Sequence, residues 1–71
     1  MLADGAYEAI VVDAEDVDGN LRLELAITAG QHKGEVVVVR AGGVTMDPVH
    51  ALGIPARIVV ENARPRVELQ T

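Results

Sequence analysis

The chain has no cysteine, no tryptophan and no phenylalanine, and Tyr7 is the one aromatic side chain in 71 residues. Without cysteine there are no disulfides and no thiolate metal ligands. Without large aromatics the core must be aliphatic, and base stacking on aromatic faces has almost nothing to use. Positive charge is scarce as well. Six Lys and Arg against eleven Asp and Glu leave a net charge of −5. That balance argues against broad phosphate binding, which needs basic side chains clustered on one face. No apolar run approaches the roughly 18 residues of a membrane span, so no membrane association is expected. The opening Met1-Leu2-Ala3-Asp4 has neither the basic nor the apolar region of a secretory leader. A cytoplasmic protein of bacterial or phage type is expected from this start and from the Ala, Val and Arg content.

What is present is aliphatic and patterned for strands. A chain this short is one domain and buries only about 60% of its unfolded surface, so it is marginal unless stapled or assembled. Val and Ile favour strands because branching at Cβ suits a pleated, half-buried surface. A first strand is read over residues 6–14, with Ile10 and Val12 on one face and Tyr7, Ala9 and Val11 on the other. Asp18-Gly19 is a two-residue hairpin signal, since a type I′ turn needs positive φ at both central positions. Leu21, Leu23, Leu25 and Ile27 then alternate with Arg22, Glu24, Ala26 and Thr28, a period of two that buries one face. A turn from Gly30 to Gly34 leads to Val36–Val39, apolar on both faces, and Arg40-Ala41-Gly42-Gly43 ends that strand with a flexible or bent segment. Asp47-Pro48 reads as N-cap and first helical residue, with Gly53 just past a helix of barely two turns. Residues 56–62 form a fourth strand, Ala63-Arg64-Pro65 turns the chain, and Val67 and Leu69 mark a fifth.

The expected fold is all-β. Its element order, β-β-β-α-β-β with the short helix between strands 3 and 4, is that of a five-stranded oligonucleotide/oligosaccharide-binding (OB) barrel. The segments Gly5 to Glu15, Leu21 to Ile27 and Gly30 through Lys33-Gly34 resemble the opening of small phage-type OB-fold proteins. That resemblance covers roughly the first forty residues and implies a non-catalytic binding module for single-stranded DNA. The strands that would form its binding face carry no Phe, Trp or Tyr.

The acidic stretch Asp13, Glu15, Asp16 and Asp18 does not fit a calcium loop. Counting from Asp16 puts Leu21 where glycine is required, and counting from Asp13 puts Val17 at the fifth position. It reads as a solvated hairpin tip. His32-Lys33 between two glycines is either an anion contact or an exposed turn. Asp47 and His50 are three apart and could face one another, although a capping Asp with a nearby His is the commoner explanation. No nucleophile, base and orienting group are arranged for catalysis, so neither an active site nor a cofactor is expected. The candidate ligand-binding residues are Arg22, Lys33, Arg40, Arg64 and Arg66. The competing account pairs the arginines with Glu24, Glu61 and Glu68 across strands.

Val36, Val37, Val38 and Val39 cannot all face one interior, because neighbouring residues of a strand point opposite ways. One pair must lie outside, beside Val59 or Val11 if those strands are neighbours. These four valines are the candidate interface, and a homo-oligomer, most simply a dimer, is expected. The alternative cover is the segment from Met1 to Asp4, or a loop. Two partners are thus in view, a single-stranded nucleic acid and a protein, the latter for an acidic structural or interaction subunit that binds no nucleic acid.

Overall fold

The structure, a computed structural model, describes residues 2–41 and 47–70. β1 (Gly5–Val17), β2 (Asn20–Ile27), β3 (Val36–Ala41), the helix α1 (Pro48–Ala51), β4 (Pro55–Glu61) and β5 (Arg64–Leu69) follow one another in the expected order. The strands form one antiparallel sheet in the order β3-β2-β1-β4-β5. The bend expected at Gly42-Gly43 lies outside the described residues.

β1 runs three residues beyond the expected Ala14. Asp13, Glu15 and Asp16 therefore belong to a paired strand, not to a loop. Only Asp18 and Gly19 form the turn, with φ of 51° and 82°. Asp16 Oδ1 accepts the Gly19 N–H at 3.2 Å, a local bond that fixes the turn. Between Val11 and Asp13 the register slips by one residue, so Val12 is an extra residue in the ladder. This β-bulge lets the long strand bend. It also changes the parity of β1: Ala9 and Val11 point inward before it and Ala14 after it.

The second hairpin corrects the reading of Ala63-Arg64-Pro65 as the turn. Asn62 and Ala63 are its two central residues, at φ 52° and 62°, and Arg64 and Pro65 already pair with Glu61 and Val60. Asp4 reaches across to hold this turn, Oδ2 accepting the Asn62 N–H at 3.0 Å and Oδ1 the Ala63 N–H at 3.2 Å. The Gln70 N–H donates to the Pro55 carbonyl, which fixes the alternation of the β4–β5 ladder. Pro65 then falls at a position that donates nothing to β4, so its missing N–H costs no ladder bond. A left-handed backbone at Ala63 is disfavoured by about 1–2 kcal/mol. Ala63→Gly is therefore expected to raise stability by about 0.5–1 kcal/mol, after allowing for the greater freedom of glycine in the unfolded chain. Urea unfolding at fixed protein concentration checks this, and a lowered midpoint would show that the turn tolerates alanine without strain.

The core is wholly aliphatic among the described residues. Leu21, Leu23, Leu25 and Ile27 from β2 meet Ala9 and Val11 from β1, Ala56, Ile58 and Val60 from β4, and Val39 from β3. α1 is too short to hold itself. Asp47 accepts the Val49 N–H at 2.9 Å, Pro48 occupies the first turn, and Ala51 is fully buried. Gly53, at φ 80°, donates to the Val11 carbonyl at 2.8 Å, and Val11 N–H donates to Ile54 at 3.0 Å. The helix end is thus tied to the strand beside the bulge. The edge strands β3 and β5 come close to one another without a hydrogen-bonded ladder. The cleft between them, about 370 Å³, is lined by Leu2, Val36, Val37, Val38, Val60 and Pro65, with Glu35 and Ala63 at its margin.

Candidate functional site

The pleat divides the four valines. Val37 and Val39 point inward, Val39 into the core itself and Val37 packed against it. Val36 and Val38 point outward, 56% and 47% exposed. The interface set thus shrinks from four residues to two, because Val37 and Val39 pair with Leu25 and Leu23, whose side chains fill the interior. Val11 is not beside the outward pair, as it is only 2% exposed within the core. Val59 is half-buried on β4, two strands removed from β2 in the sheet order, so it does not adjoin β3 through the ladder. Of the segment expected to cover the valines, Leu2 lies in the cleft beside β3, while Asp4 is committed to the β4–β5 turn. Met1 is outside the described residues.

Residues paired across a ladder share a face. The outward face of β1, β2 and β3 can therefore be written as rows. At the β1–β2 hairpin end lie Glu15, Arg22 and Arg40. Next come Asp13, Glu24 and Val38. Then come Ile10, Ala26 and Val36, and Pro55 of β4 extends that row. Val12 is 50% exposed on the bulge between Ile10 and Asp13. The row ending in Ile10 and the bulged Val12 were not identified as part of this surface from the sequence. Ile10 and Val12 alternate with Val11 as any strand residues would, and only the ladder shows that Ile10 lies level with Val36 and that Val12 is the unpaired residue of the bulge.

Of the five candidate cations, Arg22 and Arg40 are brought directly opposite one another. Arg22 also lies 3.9 Å from Glu24 on its own strand. Lys33 is in the β2–β3 turn, at the far end of β2 from Arg22. Arg64 and Arg66 are on β5 at the other edge of the ladder, and the Arg66 guanidinium sits 3.7 Å from Glu61 and 3.5 Å from Glu68. The sheet thus brings together only Arg22 and Arg40 and leaves Lys33 in the β2–β3 turn and Arg64 and Arg66 on β5 at the opposite edge of the ladder.

His32 is engaged with its own neighbours. Nδ1 contacts the Glu35 carboxylate, and the ring meets Tyr7 edge to face at a centroid separation of 5.6 Å. The Tyr7 hydroxyl donates to the Ala3 carbonyl at 2.5 Å, and its ring packs against the core. The single aromatic therefore fastens the N-terminal segment and the β2–β3 turn and does not lie on the outward face. Asp47 and His50 do not form an ion pair: the Asp47 carboxylate is used by the Val49 N–H. Among the described residues no three His, Asp or Glu side chains gather as metal ligands, and no helix is long and apolar enough to cross a membrane. Comparison with protein-family models finds no matching family, and comparisons with curated proteins and with solved structures find no significant match.

Proposed function

We propose that the chain is a non-catalytic, OB-like binding module that works by protein–protein assembly, in its simplest form as a homodimer. The strand order supports a barrel-like closure. β3 and β5, the two ends of the ladder, approach across a narrow cleft, and α1 lies between β3 and β4 in the chain. The observation that carries the assembly reading is the exposure of Val36 and Val38 on one strand, with Val36 level with Ala26 and Ile10. Burying one valine contributes about 1.5–3 kcal/mol, a large increment for a domain of this size. Sedimentation equilibrium at micromolar concentration is expected to give a mass above the 7.5 kDa of one chain. Val36→Thr with Val38→Thr is expected to return it to one chain with the fold intact. A single-chain mass for the wild type throughout that range would reject the reading.

A second reading rests on Arg22 and Arg40. Like charges directly opposite on adjacent strands destabilise a sheet by a few tenths of a kcal/mol or more, and an anionic ligand such as single-stranded DNA would relieve them. Asp13, Glu15 and Glu24 share the same face and weaken that attraction. A gel-shift with poly-dT at about 50 mM salt separates the two readings, since electrostatic binding is strongest at low salt. The assembly reading expects no shift.

A further inference from the structure

The seam between β3 and β5 is the weakest line in the sheet, and the residues ahead of β1 are strung across it. β2 buries four of its eight residues. β5 buries none fully, and β3 buries only Val39 among its described side chains. β5 has a ladder on one side only, to β4, and its other edge approaches β3 without one. Regions with few buried contacts open locally before the whole fold does. Three consecutive residues reach over this line. Leu2 lies in the cleft, with Val36, Val37 and Val38 of β3 on one side and Val60 and Pro65 of the β4–β5 hairpin on the other. The Ala3 carbonyl accepts the Tyr7 hydroxyl at 2.5 Å. The Asp4 carboxylate accepts the Asn62 and Ala63 N–H groups at 3.0 and 3.2 Å. Register explains the reach: Gly5 stands opposite Val60, so the residue before it comes level with the end of β4. The Tyr7 ring in turn meets His32, whose imidazole contacts Glu35 just ahead of β3.

We propose that Leu2, Ala3 and Asp4 form a latch that holds the β3–β5 seam shut, and that its release frees β5 while β1, β2 and β4 stay paired. Each tie is made at the surface. Ala3 and Asp4 are exposed and Leu2 is half-buried, so all three contacts can break without disturbing the core. Each tie also joins parts that the ladder leaves apart. Leu2 bridges β3 to the β4–β5 hairpin, Asp4 pins the turn that begins β5, and Tyr7 anchors the segment to β1. With the latch released, β5 keeps only its ladder to β4 and the partial burial of Val67 and Leu69. The latch acts within one chain, so it goes beyond the assembly reading and does not depend on it.

The test is amide hydrogen exchange, read residue by residue by NMR at fixed protein concentration. Asp4→Ala removes both bonds to the turn, and Tyr7→Phe removes only the hydroxyl that holds Ala3. Two sets of amides are compared. The Gln70 N–H donates to Pro55, so by the alternation of the ladder Arg64 and Arg66 donate to β4. The Thr28 N–H donates to Glu8, so Ile10 and Ala26 exchange bonds between β1 and β2. In Asp4→Ala the Arg64 and Arg66 amides are expected to exchange about tenfold faster or more, since two bonds to a charged acceptor are lost. In Tyr7→Phe the expected increase is about threefold, for one neutral bond. Ile10 and Ala26 are expected to stay within about twofold of the wild type in both variants. Should Asp4→Ala fail to fold, Asp4→Asn, which keeps one acceptor oxygen, takes its place. Unchanged exchange at Arg64 and Arg66, or equal acceleration of all four amides, overturns the latch. A wild type that sediments as one chain yet shows the selective acceleration rejects the assembly reading and leaves the latch standing.

Discussion

Leu25→Ala is expected to destabilise the fold by about 2–5 kcal/mol, the range for removing a large aliphatic side chain from a closed core. Leu25 is 0% exposed and sits at the centre of the ladder, opposite Val11 on β1 and Val37 on β3. Its loss would leave a cavity that three paired strands cannot easily collapse into. A chain of 71 residues carries about 4–11 kcal/mol of stability on the usual per-residue scale, so the variant is expected to approach the folding limit. Urea unfolding measures this. The protein concentration must be held fixed, because association adds to apparent stability. Leu52→Ala is the control. Leu52 follows α1 and is exposed, so its removal is expected to cost no more than about 0.5 kcal/mol. Equal losses for the two would contradict the placement of the core on the odd-numbered face of β2.

Aspartate at two neighbouring positions of β3 is expected to have opposite consequences. Val39→Asp puts an unpartnered carboxylate among Leu23 and the other inward side chains and should unfold the domain, since burying a lone charge costs several kcal/mol. Val38→Asp puts the same carboxylate on the outward face, opposite Glu24. There it should cost about 0.2–1 kcal/mol through like-charge repulsion and leave the strands intact. It should also abolish assembly, because a charge would stand where Val38 closes the interface. Circular dichroism and sedimentation of the two variants decide the matter together. A folded Val39→Asp beside an unfolded Val38→Asp would reverse the pleat of β3.

The site was less legible in the sequence than the fold, and β3 shows why. Four valines in a row announce that one pair must be outside, but a run with no alternation carries no parity. The pair was fixed only by the ladder with β2, where the unambiguous alternation of Leu21, Leu23, Leu25 and Ile27 transfers its parity to Val37 and Val39. The bulge at Val12 was invisible for a similar reason, since an extra residue in one strand can be counted only against its partner. From the chain, Arg64 and Arg66 flank Pro65 near a turn and Arg22 and Arg40 fall on strands that could be neighbours; the ladder makes Arg22 and Arg40 neighbours and puts Arg64 and Arg66 on β5 at the other edge. Their separation is a matter of strand order, which no local pattern encodes.

The sequence by itself determined the local structure. Asp18-Gly19 made the first hairpin through its tolerance of positive φ, Asp47-Pro48 started the helix by capping, and the period of two in β2 chose a buried face. It also determined the all-β class, the aliphatic core and the absence of cysteine chemistry. The tertiary structure decided which strands are neighbours, which valines face out, and that Ile10, Asp13 and Glu15 lie level with Val36, Val38 and Arg40 on one surface. Propensity, capping and alternation act over a few residues and can be read from the chain. Register and strand order come from contacts between residues far apart in sequence, where the gain from closing one shared core sets the pairing.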